Sequence, residues 1–269
     1  MNRASWILLA VLILAVGSFL TWRAMRPGAP PPVIPASIEP SQPAVGEPGP
    51  PPVLTPQAAS PPMMPAEPSE PLPALDQSDP EVRTAAVELL GADYVDQLLV
   101  PADIIRKSVV TVDNLPRDKI ALRLRAVPPL PGRFIASEGG DEWTVISAEN
   151  FARYTPWVNV FVAADSARIA DLYLRFYPLL QQAYQDLGYP DQQFHGRVMA
   201  MIDDLLAAPE IDAPIRLVRP HVLYQYADPG LEERSAGQKT LIRMGQQNAA
   251  AVKQKLREIK TLIGAANSA

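Results

Sequence analysis

Apolar positions recur in three different rhythms along the chain. Residues 4–22, ASWILLAVLILAVGSFLTW, run nineteen positions without a charge. At about 1.5 Å per helical residue such a run spans roughly 28 Å, close to the hydrocarbon thickness of a bilayer, with Trp6 and Trp22 where the interfaces would fall. The pattern predicts a transmembrane helix within an anchor of residues 1–26. A cleavable signal peptide is the rival reading, but its apolar core would be long, and RAMRPG follows it where a small-residue cleavage site would stand. Residues 27–79 have no periodicity at all, and the segment up to Pro80 holds 19 of the 31 prolines. Proline fixes φ and removes a donor, so neither helix nor sheet is expected there, and the segment reads as a disordered linker. At about 3.1 Å per residue it reaches at most roughly 170 Å.

From residue 80 to 269 the pattern turns helical. Asp79 and Pro80 read as N-cap and first turn of a helix to about Leu90, followed by helical segments over YVDQLLV and ADIIRKSVVTV. The longest stripe follows Asp165: Ile169, Leu172, Tyr173, Phe176, Leu180, Ala183, Tyr184 and Leu187 recur at three- and four-residue steps. Pro178 lies inside it and predicts a kink or a break. Further helices are expected after Asp191 and after Gly245, the last with Val252, Leu256, Ile259 and Ile263 on one face and Lys253, Arg257 and Lys260 on another. RFIASEGGDEWTVIS alternates about a Glu138-Gly139-Gly140-Asp141 tip, a hairpin signature, while IRLV and HVLYQY read as short extended segments. The expected fold is mainly α with a small β component, behind a single amino-terminal transmembrane helix.

Charge narrows the partners. Arg3 stands on one side of the apolar run and Arg23 and Arg26 on the other, and the next basic residue is Arg83. A stretch so poor in lysine and arginine would cross a membrane without resistance, which favours an amino terminus inside and a periplasmic domain on the bacterial inner membrane. Setting aside those three arginines and the six linker acids leaves 21 basic against 23 acidic residues, so the domain is near neutral. That is no footprint for nucleic acid. With no cysteine there is neither a thiol nucleophile nor a disulfide.

Candidate chemistry is sparse. SAGQKT at 235–240 looks like a broken phosphate loop, but Gln238 separates Gly237 from Lys239 and no apolar strand leads into it, so Ser235 reads as a helix cap and no nucleotide is expected. His195 reads as a solvated histidine. Asp203 and Asp204 make no metal signal, and no cofactor is expected. Glu138, Asp141 and Glu142 around the hairpin tip would supply the two carboxylates of a hydrolase, the alternative to a binding module. The binding candidates are Arg219 and His221 in RPHVLYQY. As one strand, that segment would put both on one face and Tyr224 on the other.

FYPLLQQAY, LGYP and SAGQK, with LPRDKIALRLRAVPPLPGRF upstream, resemble an uncharacterised proteobacterial family, the domain of unknown function numbered 3014. The resemblance covers roughly residues 80–265, with Phe176 in a leucine-like place. It implies an anchor, a low-complexity linker and a carboxy-terminal domain, and it carries no catalytic residue. Together these readings point to a tethered binding or scaffold module that meets an envelope protein or cell-wall partner.

Overall fold

The computed structural model describes residues 71–118, 126–127, 130, 132–140, 143–212, 214–220 and 223–265. The predicted anchor and residues 27–70 of the predicted linker lie outside them. Among the described residues no helix is long and apolar enough to cross a membrane.

The fold is mainly helical with one small antiparallel sheet. In chain order, after a 3-10 turn at Leu75–Gln77, the elements are α1 (Asp79–Leu90), α2 (Ala92–Leu98), α3 (Ile104–Asn114), β1 (Ala136–Gly140) and β2 (Trp143–Ile146). Then come α4 (Ala148–Ala152), α5 (Thr155–Ala163), α6 (Ser166–Asp186), α7 (Phe194–Leu206), β3 (Arg216–Val218), β4 (Gln225–Tyr226), α8 (Pro229–Glu232), α9 (Ala236–Met244) and α10 (Gln246–Ala265). The packed unit starts before residue 80. Leu75 is 7% exposed in the main core and Leu72 packs against it.

Helix α6 is the centre of the bundle, packed between α3 and α10. Asp165 starts it by accepting hydrogen bonds from the amides of Ala167 and Arg168. The predicted stripe is buried through Tyr184, whereas Leu187, just past the helix, is 39% exposed. Of the kink or break expected at Pro178, the break does not occur, and the helix runs through the proline. An interior proline costs about 3 kcal/mol. Burial of Tyr177, Leu179 and Leu180 around it offsets that cost, since each large buried side chain contributes about 1.5–3 kcal/mol.

Asp79 does not cap its own helix. Ser78 is the N-cap of α1, and the Asp79 carboxylate accepts from the amides of Asp103 (2.7 Å) and Ile104 (2.8 Å), at the start of α3. One side chain therefore fixes α1 to α3 and satisfies two of the donors a helix start leaves open.

The four strands form one sheet in the order β1-β2-β3-β4, every pair antiparallel. The predicted hairpin is present, but Gly140 pairs with Trp143, which moves its tip beyond the expected position. The sheet covers a second small core of Ile146, Ile215, Leu217, Tyr226 and Ile242. Helix α9 serves both cores, since Leu241 and Met244 enter the main one and Ile242 the small one.

Candidate functional site

Where the two cores meet, a cleft of about 670 Å³ opens between α4, the segment 209–215 and the α9–α10 corner. Ile146, Phe151, Ile211, Ile215, Ile242 and Met244 give it an apolar lining, and Thr155, Glu210, Asp212, Gln246 and Gln247 supply the polar groups.

The corner is built by a glycine. Gly245 has φ +80, and a Cβ there would stand 2.6 Å from the Phe151 ring. Only glycine allows both that conformation and that approach. Asn248 then ties the corner down: its amide nitrogen donates to the carbonyls of Phe151 (3.0 Å) and Met244 (2.9 Å). The opposite wall is held from α10 as well, by Lys253, whose Nζ donates to the Ala208 carbonyl at 2.6 Å and lies 3.6 Å from Glu210. Lys253, off the apolar stripe, is nevertheless only 4% exposed. The first main-chain bond of α10 runs from the Ala249 amide to the Gly245 carbonyl. Gln246, Gln247 and Asn248, whose amides precede it and have no acceptor within the helix, line the cleft.

Among the described residues, both carboxylates that line the cleft, Glu210 and Asp212, come from one short segment, and Lys253 engages Glu210. The carboxylic acids that burial pushes above their usual range are, among the described residues, Asp171 and Asp204. They belong to α6 and α7, and neither lines the cleft.

The residues singled out from the sequence lie elsewhere. Arg219 follows β3 directly, and its guanidinium sits 5.5 Å from the centre of the Tyr224 ring, which packs at 5.8 Å on Phe134. Arg219 lies past the end of β3 and Tyr224 before the start of β4, and the two side chains meet where strand alternation would have separated them. Tyr224 is half-buried and Tyr226 is the core residue. His221, Asp141 and Glu142 lie outside the described residues, and Glu138 pairs with Thr144 inside the sheet.

His195 is buried, not solvated: it is 1% exposed, and its Nδ1 lies 2.8 Å from the Tyr173 hydroxyl. Burial lowers its pKa below the ordinary 6.5.

SAGQKT begins α9. The Ser235 hydroxyl accepts from the Gln238 amide at 3.1 Å and donates to Asp204 at 2.6 Å. A Cβ added at Gly237 would stand 2.6 Å from Leu205 Cδ2 and 3.2 Å from the Leu115 carbonyl oxygen, which accepts from the Gly237 amide at 2.8 Å. The glycine is a helix crossing point. Lys239 Nζ donates to the Glu232 carbonyl at 2.9 Å. Asp203 pairs with Lys260.

The cleft residues escaped the sequence reading because only Gly245, a glycine between two periodic stretches, announces the corner. Nothing in MGQQN shows that Phe151 lies against it. Compared with known proteins, residues 104–260 match the model of a family described as a protein of unknown function, DUF3014. No curated protein and no solved structure matches the chain.

Proposed function

The chain belongs to the DUF3014 family, and on that premise we propose that it is a single-pass inner-membrane protein whose helical domain binds another envelope component in the periplasm, through the cleft beside α10. One observation carries the binding half. The cleft, at about 670 Å³, has the size of a ligand site, and it joins an apolar lining to a few polar groups held on fixed elements. An extended peptide suits it: an apolar side chain can enter the lining while main-chain carbonyls meet the open amides of the first α10 turn.

Carboxylate hydrolysis is served less well. It needs two acids held at a set separation, one of them kept protonated. Here Glu210 lies beside Lys253, and the acids that burial does raise stand away from the cleft. The tethered half rests on the uncharged run of residues 4–22, the proline-rich reach that follows and the absence of lysine and arginine between Arg26 and Arg83. Such a reach serves a module that must meet a cell-wall or outer-membrane partner.

Alkaline phosphatase fused to the carboxy terminus should be active in a bacterial host. An inactive fusion beside an active cytoplasmic reporter at the same position would overturn the compartment. The wild type should give no clearing in a peptidoglycan zymogram; clearing that Glu210→Gln or Asp212→Asn abolishes would replace binding with hydrolysis.

A further inference from the structure

The face of the sheet turned away from the small core is built for contact. Register places Trp143, Val145, Arg216, Val218 and Gln225 on that face, opposite the buried Ile146, Leu217 and Tyr226. None of the five is buried. Val218 is 45% exposed, and Leu223, two residues before Gln225, is 41% exposed. These are two of the six exposed large hydrophobic residues among those described, and both lie at the β3–β4 end of this one small sheet.

Trp143 is not a free platform. A Cβ at Gly139 would stand 3.1 Å from its Cε3 atom, so glycine lets the strand pass directly beneath the indole. On the ring lies Arg216, its Cζ 4.0 Å from the ring centre. Arg216 makes no ion pair with a described residue. A guanidinium stacked this way spends its π-face on the ring and keeps N–H donors pointing outward in its own plane, the arrangement that takes a carboxylate through two parallel bonds. Its side-chain freedom is already lost before any partner arrives, which lowers the cost of binding.

We propose that this face docks an acidic segment of a partner protein, with one carboxylate taken by Arg216 and a neighbouring apolar side chain covering Val145 and Val218. Charge selects the occupant. The described outer-face positions, Ser137 among them, include one cation and no carboxylate. Size selects its form, because three strand spacings of about 4.8 Å cross the sheet in roughly 15 Å, the length of four or five extended residues. The surface is separate from the cleft and stands whether or not the cleft binds a ligand.

The test uses the full chain in a neutral non-ionic detergent and a fluorescent octapeptide alternating glutamate with valine, followed by anisotropy. The expected result is saturable binding that weakens with salt, falls at least ten-fold in Arg216→Gln and in Val218→Glu, and persists in Val218→Lys. A peptide alternating lysine with valine should not bind. Val218 is exposed, so Val218→Glu keeps the test valid if Arg216→Gln lowers the melting temperature. Equal binding by wild type, Arg216→Gln and Val218→Glu would overturn the proposal, as would equal binding of the lysine peptide. Two further outcomes would also overturn it: no peptide binding but self-association that Val218→Glu abolishes, and retention on anionic vesicles alone.

Discussion

Gly237→Ala sets two effects against each other with opposite signs. Considered only as a helix position, the exchange favours folding by about 0.5–1 kcal/mol, because glycine pays the larger backbone entropy. The packing opposes it. The new methyl would meet Leu205 Cδ2 at 2.6 Å and the Leu115 carbonyl oxygen at 3.2 Å, and Leu205 is fully buried with nowhere to turn. Overpacking of this kind costs about 1–3 kcal/mol. Backing α9 away would also stretch the 2.8 Å bond from the Gly237 amide to Leu115, whose contribution is about 1 kcal/mol. Packing wins by about 1–2 kcal/mol. For a folded unit of this size, one kcal/mol shifts the melting temperature by about 2–4 °C, so differential scanning fluorimetry should show a drop of roughly 3–6 °C. The same scan with magnesium and ATP should leave the wild type where it was. A variant as stable as the wild type, or more so, would refute the crossing-point account, and stabilisation by nucleotide would restore the phosphate-loop reading.

Asp79→Ala should lower the urea midpoint by the equivalent of about 1–2 kcal/mol, since two amides at the start of α3 lose their acceptor; an unchanged midpoint would remove the α1–α3 clamp. Lys239→Ala should cost about 1 kcal/mol through the lost bond to the Glu232 carbonyl, where an exposed helix position would cost almost nothing. For His195, the folded pKa lies below the unfolded value of 6.5, so the unfolded chain binds the proton first as pH falls and the fold loses stability below about pH 6.5. Urea unfolding between pH 7.5 and 5 should show His195→Asn flatter than the wild type by at most about 1.4 kcal/mol per pH unit, whereas parallel profiles would mean that the ring is not kept neutral by burial.

The helices were legible because a 3.6-residue stripe is a local signal. Ile169 to Tyr184 on α6 and Val252 to Ile263 on α10 face the core as the spacing requires. What depends on a partner distant in the chain was not legible. Strands β3 and β4 hold three and two residues, and β3 pairs with β2 across some seventy positions, so extended segments were visible and their sheet was not. His195 stands two positions after Gln193 in the sequence and against Tyr173 in space, which turned an expected surface residue into a buried one. Lys253 stands off the apolar stripe, yet the Ala208 carbonyl gives its ammonium a partner inside. In SAGQKT the glycine was visible, but the Leu205 and Leu115 that require it were not. The cleft suffers most from this limit, because its walls come from three separate stretches between Ile146 and Ala249 and only their packing creates it.

The most direct test of the binding account is photo-crosslinking in living cells from Gln247, at the polar edge of the cleft. A photoreactive residue there should yield one discrete adduct with an envelope component. The adduct should disappear when Ala152, an exposed residue of the same lining, is changed to Trp to fill the opening, while a probe at the exposed Arg168 on α6 yields no such adduct. An adduct that survives Ala152→Trp, or that forms equally from Arg168, would contradict the claim that this cleft is where the partner binds.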